Sequence, residues 1–245
     1  MPSSRLTRRH LLRSGAHTSL LLVAAGAGVT RAADPAAPIP ALTAKQQRAL
    51  TPSEAIALAQ AGNRRFLAGE RIPIDHLADQ RALADAQHPA AVVLSCIDSR
   101  APAEIIFDVG LGDLFNARVA GNFVNRDIAG SLEYACAVAG ARLVLVLGHT
   151  GCGAIKGALD GVKLGNLTGM LENLMPAVES VKDVPGPRNS KNRALVDAVA
   201  EANVRRTLAE IRRTSPVLRD LEEAGSIGIV GAMYDVATGR ARLPI

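Results

Sequence analysis

The chain is poor in several things at once, with three cysteines, six aromatic residues and no tryptophan in 245 residues. Three cysteines make no disulfide framework in a protein of this length, and the odd count favours a metal site. The apolar stretch Ser19–Val29 is too short to cross a bilayer, which takes about 20 residues. No internal repeat, low-complexity tract or glycine-rich phosphate loop is present, which removes solenoids and phosphate-cradling folds. Acid is missing from the first 32 residues, which hold Arg5, Arg8, Arg9, Arg13 and Arg31. The remaining 23 basic residues balance 23 acidic ones, so the formal charge of +5 belongs to the N-terminus. A basic nucleic-acid surface is excluded on that ground.

What the N-terminus does have is the twin-arginine pair of Thr7-Arg8-Arg9-His10-Leu11-Leu12, the short apolar stretch, and small residues around Thr30-Arg31-Ala32-Ala33. Residues 1–32 read as an export signal cleaved after Ala32, carrying an already folded protein to the periplasm or beyond and leaving no stable membrane anchor. Export after folding suits a protein whose thiolates must meet a metal before they meet oxidants. Residues 33–50, with Pro35, Pro38 and Pro40, read as a linker, and 51–245 as one domain.

Within that domain Thr51-Pro52-Ser53-Glu54 marks a helix start, and the apolar pattern predicts a helix over 52–68. Ala91–Leu94 and Arg142–Leu147 are continuous apolar runs, the pattern of parallel strands covered on both faces. Further strands are expected near 114–119 and 225–231, and helices over 131–139, 153–159 and 189–213. The alternation predicts an α/β fold with a mainly parallel central sheet flanked by helices.

Cys96 follows the first apolar run, and His149 and Cys152 follow the second. Both groups therefore fall at strand carboxyl ends, where open α/β sheets place their ligands. Two thiolates and an imidazole make three ligands, and a zinc ion held by three protein groups keeps a fourth position open, whereas structural sites are closed by four. Asp98 and Arg100, beside the first ligand, are spaced for a charge-assisted, bidentate pair. Such a pair holds the carboxylate off the metal; if it breaks, Asp98 becomes a candidate fourth ligand.

Four motifs in order carry a family resemblance: Cys96-Ile97-Asp98-Ser99-Arg100, Ser131-Leu132-Glu133-Tyr134, Gly148-His149-Thr150-Gly151-Cys152-Gly153 and Gly231-Ala232-Met233-Tyr234-Asp235. Over about residues 51 to 245 the chain resembles the β-class carbonic anhydrases. The resemblance implies one zinc per subunit on Cys96, His149 and Cys152, an activating dyad of Asp98 and Arg100, and reversible hydration of carbon dioxide to bicarbonate by a zinc-bound hydroxide. Two thiolates make the zinc less acidifying, which hydrogen bonding around it must offset. The plant-like branch lines its substrate pocket with Gln, Phe and Tyr, matched here by Gln87, Phe115 and Tyr134, with the N–H of Gly153 as a further donor to substrate. The agreement is informative in a chain with so few aromatics. The other branch carries an inhibitory bicarbonate site with a Trp where this chain has Val93, although its arginine is matched by Arg118.

The family pairs subunits through the sheet and N-terminal helices, so a homodimer or higher oligomer is expected, with pockets at the interface. His76 and His88 are the histidines left to shuttle protons, and Cys136 reads as a packed small residue. Two rivals remain: hydrolysis of carbon disulfide or carbonyl sulfide on the same fold, and a non-catalytic zinc or redox-sensing protein with Cys96 and Cys152 oxidised.

Overall fold

In the computed structural model, which describes residues 41–245, the two apolar runs become β1 (Ala91–Ser95) and β3 (Leu143–His149). With β2 (Leu114–Arg118), β4 (Gly228–Tyr234) and the short β5 (Ala241–Arg242) they form one sheet in the order β2-β1-β3-β4-β5. The first four strands are mutually parallel and β5 is antiparallel to β4. Alternate side chains of β1 and β3 enter opposite cores, Val92, Leu94, Val144 and Val146 on one face and Val93, Leu143, Leu145 and Leu147 on the other. Both faces are covered, which is why these strands are apolar without interruption.

The helices are α1 (Ala44–Ala49), α2 (Pro52–Ala68), α3 (His76–Ala82), α4 (Ala103–Ile106), α5 (Arg126–Glu133), α6 (Gly153–Leu159), α7 (Gly165–Glu172), α8 (Met175–Ser180), α9 (Arg193–Thr214) and α10 (Pro216–Glu223). The start of α2 follows from its cap: Thr51 accepts from the Glu54 amide and Glu54 reaches back to the Thr51 amide, a closed capping box. No helix among the described residues is long and apolar enough to cross a membrane.

Several boundaries differ from the sequence-based expectations, among them the long helix expected over 189–213, which begins at Arg193 because the Asn192 side chain accepts from the Leu195 amide. The helix expected from 131 begins at Arg126, because the Asn125 side chain accepts from the Ile128 amide, and it runs on into a π-helical turn, Tyr134–Val138. The last strand begins at Gly228, since Gly225, at φ 67, and Ser226 close the end of α10 by donating to Glu222 and Leu221. The linker read over 33–50 is corrected at its end. Thr43 caps α1, and buried Gln47 donates from Nε2 to the carbonyls of Pro89 and Ala139, tying this polar helix to the domain. The export signal read over 1–32 lies outside the described residues.

The sheet order also locates a site. From β1 the chain moves to β2 on one side, and from β3 to β4 on the other, so β1 and β3 flank a topological switch point. Register brings their ends level, with Ser95 opposite both Arg118 and Leu147, and His149 opposite Tyr234.

Helix α2 seats against α4 through Gly62, where an added Cβ would lie 1.6 Å from the Phe107 carbonyl oxygen. Gly62→Ala should therefore destabilise by about 3 kcal/mol, overpacking outweighing alanine's better helix propensity. At Gly169 in α7 a Cβ meets nothing within 4 Å, and alanine there should stabilise by up to about 1 kcal/mol. Denaturant unfolding of the two variants checks both signs.

Candidate metal centre

Cys96 is the first residue beyond β1, His149 the last of β3, and Cys152 the residue that opens α6. All three are buried, and their two sulfurs and a ring nitrogen lie within 4.8 Å of one another. The turn from His149 to Cys152 closes this tightly because Gly151 takes φ 64, a conformation that other residues enter at a cost.

The protonation pattern within the triangle follows from its partners. Nδ1 of His149 is 3.0 Å from the Thr150 carbonyl oxygen, which can only accept, so Nδ1 carries the proton. Nε2 is left as a lone pair, buried and without a hydrogen-bond partner among the described residues. An unmet buried acceptor costs about 1–3 kcal/mol. A cation between this nitrogen and the two sulfurs removes that cost, and a donor set of two sulfurs and one imidazole suits zinc.

The sulfurs are 4.0 Å apart, within reach of an S–H···S hydrogen bond in which either can donate. The hydrogen bond from Cys152 pulls the Cys96 thiol well below its ordinary value against the effect of burial, with the Gly121 amide assisting, while the bond to Cys96 and burial push Cys152 up. A bound dication would displace the thiol protons and hold both sulfurs as thiolates. Cys136 stands apart: burial alone pushes its thiol up to about 12, as for an inert packed residue.

Asp98 lies beside the opening without completing the triangle. Its Oδ1 accepts from the backbone N–H and the Nε of Arg100, each at 2.9 Å, and its Oδ2 accepts from the guanidinium at 2.7 Å. Those bonds hold the carboxyl well below the usual carboxylate range, burial opposing, and leave Oδ2 3.9 Å from His149 Nε2. Arg118 braces the same loop, donating from Nε to the Cys96 carbonyl at 2.8 Å and from its terminal nitrogen to the Asp98 carbonyl at 2.7 Å. The resemblance singled out Arg118 for an anion site; here its guanidinium is engaged by backbone. A lone arginine at the end of a strand carries no sequence signal for that role.

The second loop is held by β4. Thr150 donates its amide to the Tyr234 carbonyl at 2.9 Å, its hydroxyl reaches Asp235 at 3.3 Å, and the Val236 amide donates to that hydroxyl at 3.1 Å. The Gly-Ala-Met-Tyr-Asp motif thereby serves the His149 loop.

The residues read as a substrate pocket lie elsewhere in the chain. Phe115 and Tyr134 meet edge to face with ring centroids 6.2 Å apart and line a common cavity with Val92 and Arg126. Tyr134 lines a second cavity with Gln87 and Val138. No residue of the metal triangle lines either. Phe115 pairs in register with Val92, four residues before Cys96, which is about 13 Å back along the strand. Gly153, by contrast, adjoins Cys152, and a Cβ there would meet nothing within 4 Å. His76 is exposed at the start of α3, and His88 is half-buried before β1.

Comparison with known proteins meets this geometry. The family model described as carbonic anhydrase matches residues 91–241, which span the sheet and both ligand loops. Carbonic anhydrase 2 of Mycobacterium tuberculosis is 39% identical over 188 residues, covering 74% of this chain and 87% of its own. The carbonic anhydrase of Mycolicibacterium smegmatis is 37% identical over 184 residues, covering 74% and 88%. Among solved structures, a β-carbonic anhydrase of Aspergillus fumigatus superposes with a TM-score of 0.59 at 29% identity, over 68% of this chain and 80% of that one. One of two tetrameric β-carbonic anhydrases of Sordaria macrospora does so with a TM-score of 0.58 at 25% identity, over 66% and 83%. Strand order, ligand loops and relatives agree, and the chain belongs to the β class of the carbonic anhydrase family.

Proposed function

We propose that the protein is a zinc enzyme interconverting carbon dioxide and bicarbonate, with Cys96, His149 and Cys152 holding the metal. The observation that carries this reading is a buried triangle of three donors whose neighbouring carboxylate, Asp98, is tied to Arg100 in place of closing it. When bound, zinc supplies the Lewis acidity that brings water's pKa toward neutrality, an effect for which carbonic anhydrases are the standard example. Asp98 would accept a hydrogen bond from the hydroxide that attacks the substrate carbon, orienting a lone pair towards it, the proton lost in forming that hydroxide having left to solvent. Arg100 keeps that carboxylate ionised and turned from the metal, and Arg118 fixes the carbonyls on either side of Ile97. The Gly153 amide, at the start of α6, serves as donor to a substrate oxygen.

Gln87, Phe115 and Tyr134 are assigned to the pocket that one subunit offers the metal centre of another. Their separation from their own triangle supports this, as do the exposure of Tyr134 and Val138 on one π-helical turn and the outer edge of β2, which pairs with no strand among the described residues. A homo-oligomer follows from the assignment, and with Val93 in place of Trp it favours the plant-like branch. The twin arginines and the balanced charge beyond them support export of the folded protein over a signal ending near Ala32.

Stopped-flow carbon dioxide hydration with zinc content on the same sample tests the enzyme. Arg100→Ala should retain one zinc per chain and lose about a hundredfold or more in kcat/KM, in the range of a lost acid–base partner. Cys96→Ser should lose both metal and turnover. Full zinc without turnover in the unaltered protein would end the carbonic anhydrase reading, and an unimpaired Arg100→Ala would remove the dyad from it. For export, replacing Arg8 and Arg9 together by lysine should leave the protein in the cytoplasm on cell fractionation; continued export would exclude the twin-arginine route.

A further inference from the structure

The Thr150–Gly151 peptide links His149 to a residue far along the chain. Its carbonyl oxygen accepts from His149 Nδ1 at 3.0 Å, and its N–H donates to Oδ1 of Asp197 at 2.7 Å. Both bonds are made by one planar trans peptide, whose N–H and C=O point in opposite directions, so carboxylate, peptide and imidazole form a single chain. We propose that Asp197 is a positioning residue for His149, polarising the Thr150–Gly151 peptide so that its carbonyl holds the Nδ1 proton more strongly and Nε2 becomes a better metal donor. The inference rests on the zinc reading of the triangle.

The physical basis is the one by which a carboxylate bonded directly to a ligating histidine fixes its tautomer and raises its basicity. Here a peptide is inserted between the two. A charge-assisted bond to the N–H draws electron density towards the carbonyl oxygen, and successive hydrogen bonds, both part-buried here, polarise one another. The geometry holds the peptide to this role. Thr150 is fixed from the other side by the Tyr234 carbonyl and the Val236 amide, and the φ of 64 at Gly151 belongs to the same turn. Asp197 stands in the second turn of α9, a 22-residue helix that packs on β3 and β4. Its ion-pair partner Arg193 is 3.8 Å from Oδ2 and 73% exposed, too loose to compete with the bond to Gly151.

A plain tether between helix and loop would use the same atoms, so the test separates charge from hydrogen bonding. Asp197→Asn keeps an acceptor oxygen for the Gly151 amide and removes the charge. In the full-length protein, zinc affinity is measured by competition with a chromophoric chelator, and cobalt(II) is substituted to read the ligand field from its visible absorption. Asp197→Asn should weaken zinc binding about tenfold, the lower end of what loss of a carboxylate behind a ligating histidine costs. It should also shift the cobalt bands at unchanged apo-protein melting temperature, while Arg193→Ala changes neither. Wild-type affinity and spectrum in Asp197→Asn would overturn the proposal, as would an equal loss in Arg193→Ala, which would trace the effect to the helix. Failure of the unaltered protein to take up either metal would overturn the zinc reading, and this inference with it.

Discussion

The parallel pairing of β1 with β3 is the constraint on which the rest of the site depends. Cys96 and His149 belong to different loops and become neighbours only because Ser95 stands opposite Leu147 at the same level of the sheet. A register slip of one residue would turn every side chain of a strand to the other face, putting Val93 and Leu145 where Val92 and Val144 now pack. Both cores therefore enforce the register that sets the donor triangle. The sheet order adds that no strand lies between these two ends, which leaves the crevice open where the connections part.

Beyond the strand ends the backbone has left the ladder, and its polar groups need other partners. Around the first loop Arg118 takes the carbonyls of Cys96 and Asp98, and around the second β4 and α9 take the amides of Thr150 and Gly151. These bonds satisfy backbone groups and aim ligands at the same time. A rigid first loop gives Asp98 one arrangement beside the opening, and a rigid second loop gives His149 one tautomer. The donors are thus held ready by hydrogen bonds that reach no substrate.

Legibility in the sequence followed the range of the interaction. Strands β1 and β3 were readable as apolar runs, and α2 and α6 to their ends, because a capping box and a glycine-relieved turn act within a few residues. Helix α1 was not, since it is polar and is held by long-range hydrogen bonds, from buried Gln47 to segments 42 and 92 residues away and from Arg142 to the Arg48 carbonyl. The last strand was placed three residues early because Gly225-Ser226-Ile227 reads as strand but completes the end of α10. At the site, spacing and residue type picked out the Cys96, His149 and Cys152 group and the Asp98–Arg100 pair, and the structure brings the members of each together.

What the sequence by itself determined is the set of groups available: two thiols and an imidazole after apolar strands, a carboxylate two residues from a guanidinium, and glycine where the second loop turns. These are local properties of residue type and spacing. Only the tertiary structure decided how they are deployed. It engaged Arg118 with backbone carbonyls, put Asp197 behind the Thr150–Gly151 peptide, and set Phe115 level with Val92, about 13 Å back along the strand from Cys96. Each of these depends on strand register or on how a helix docks on the sheet, and both are set by packing between segments distant in the chain, which no local pattern encodes.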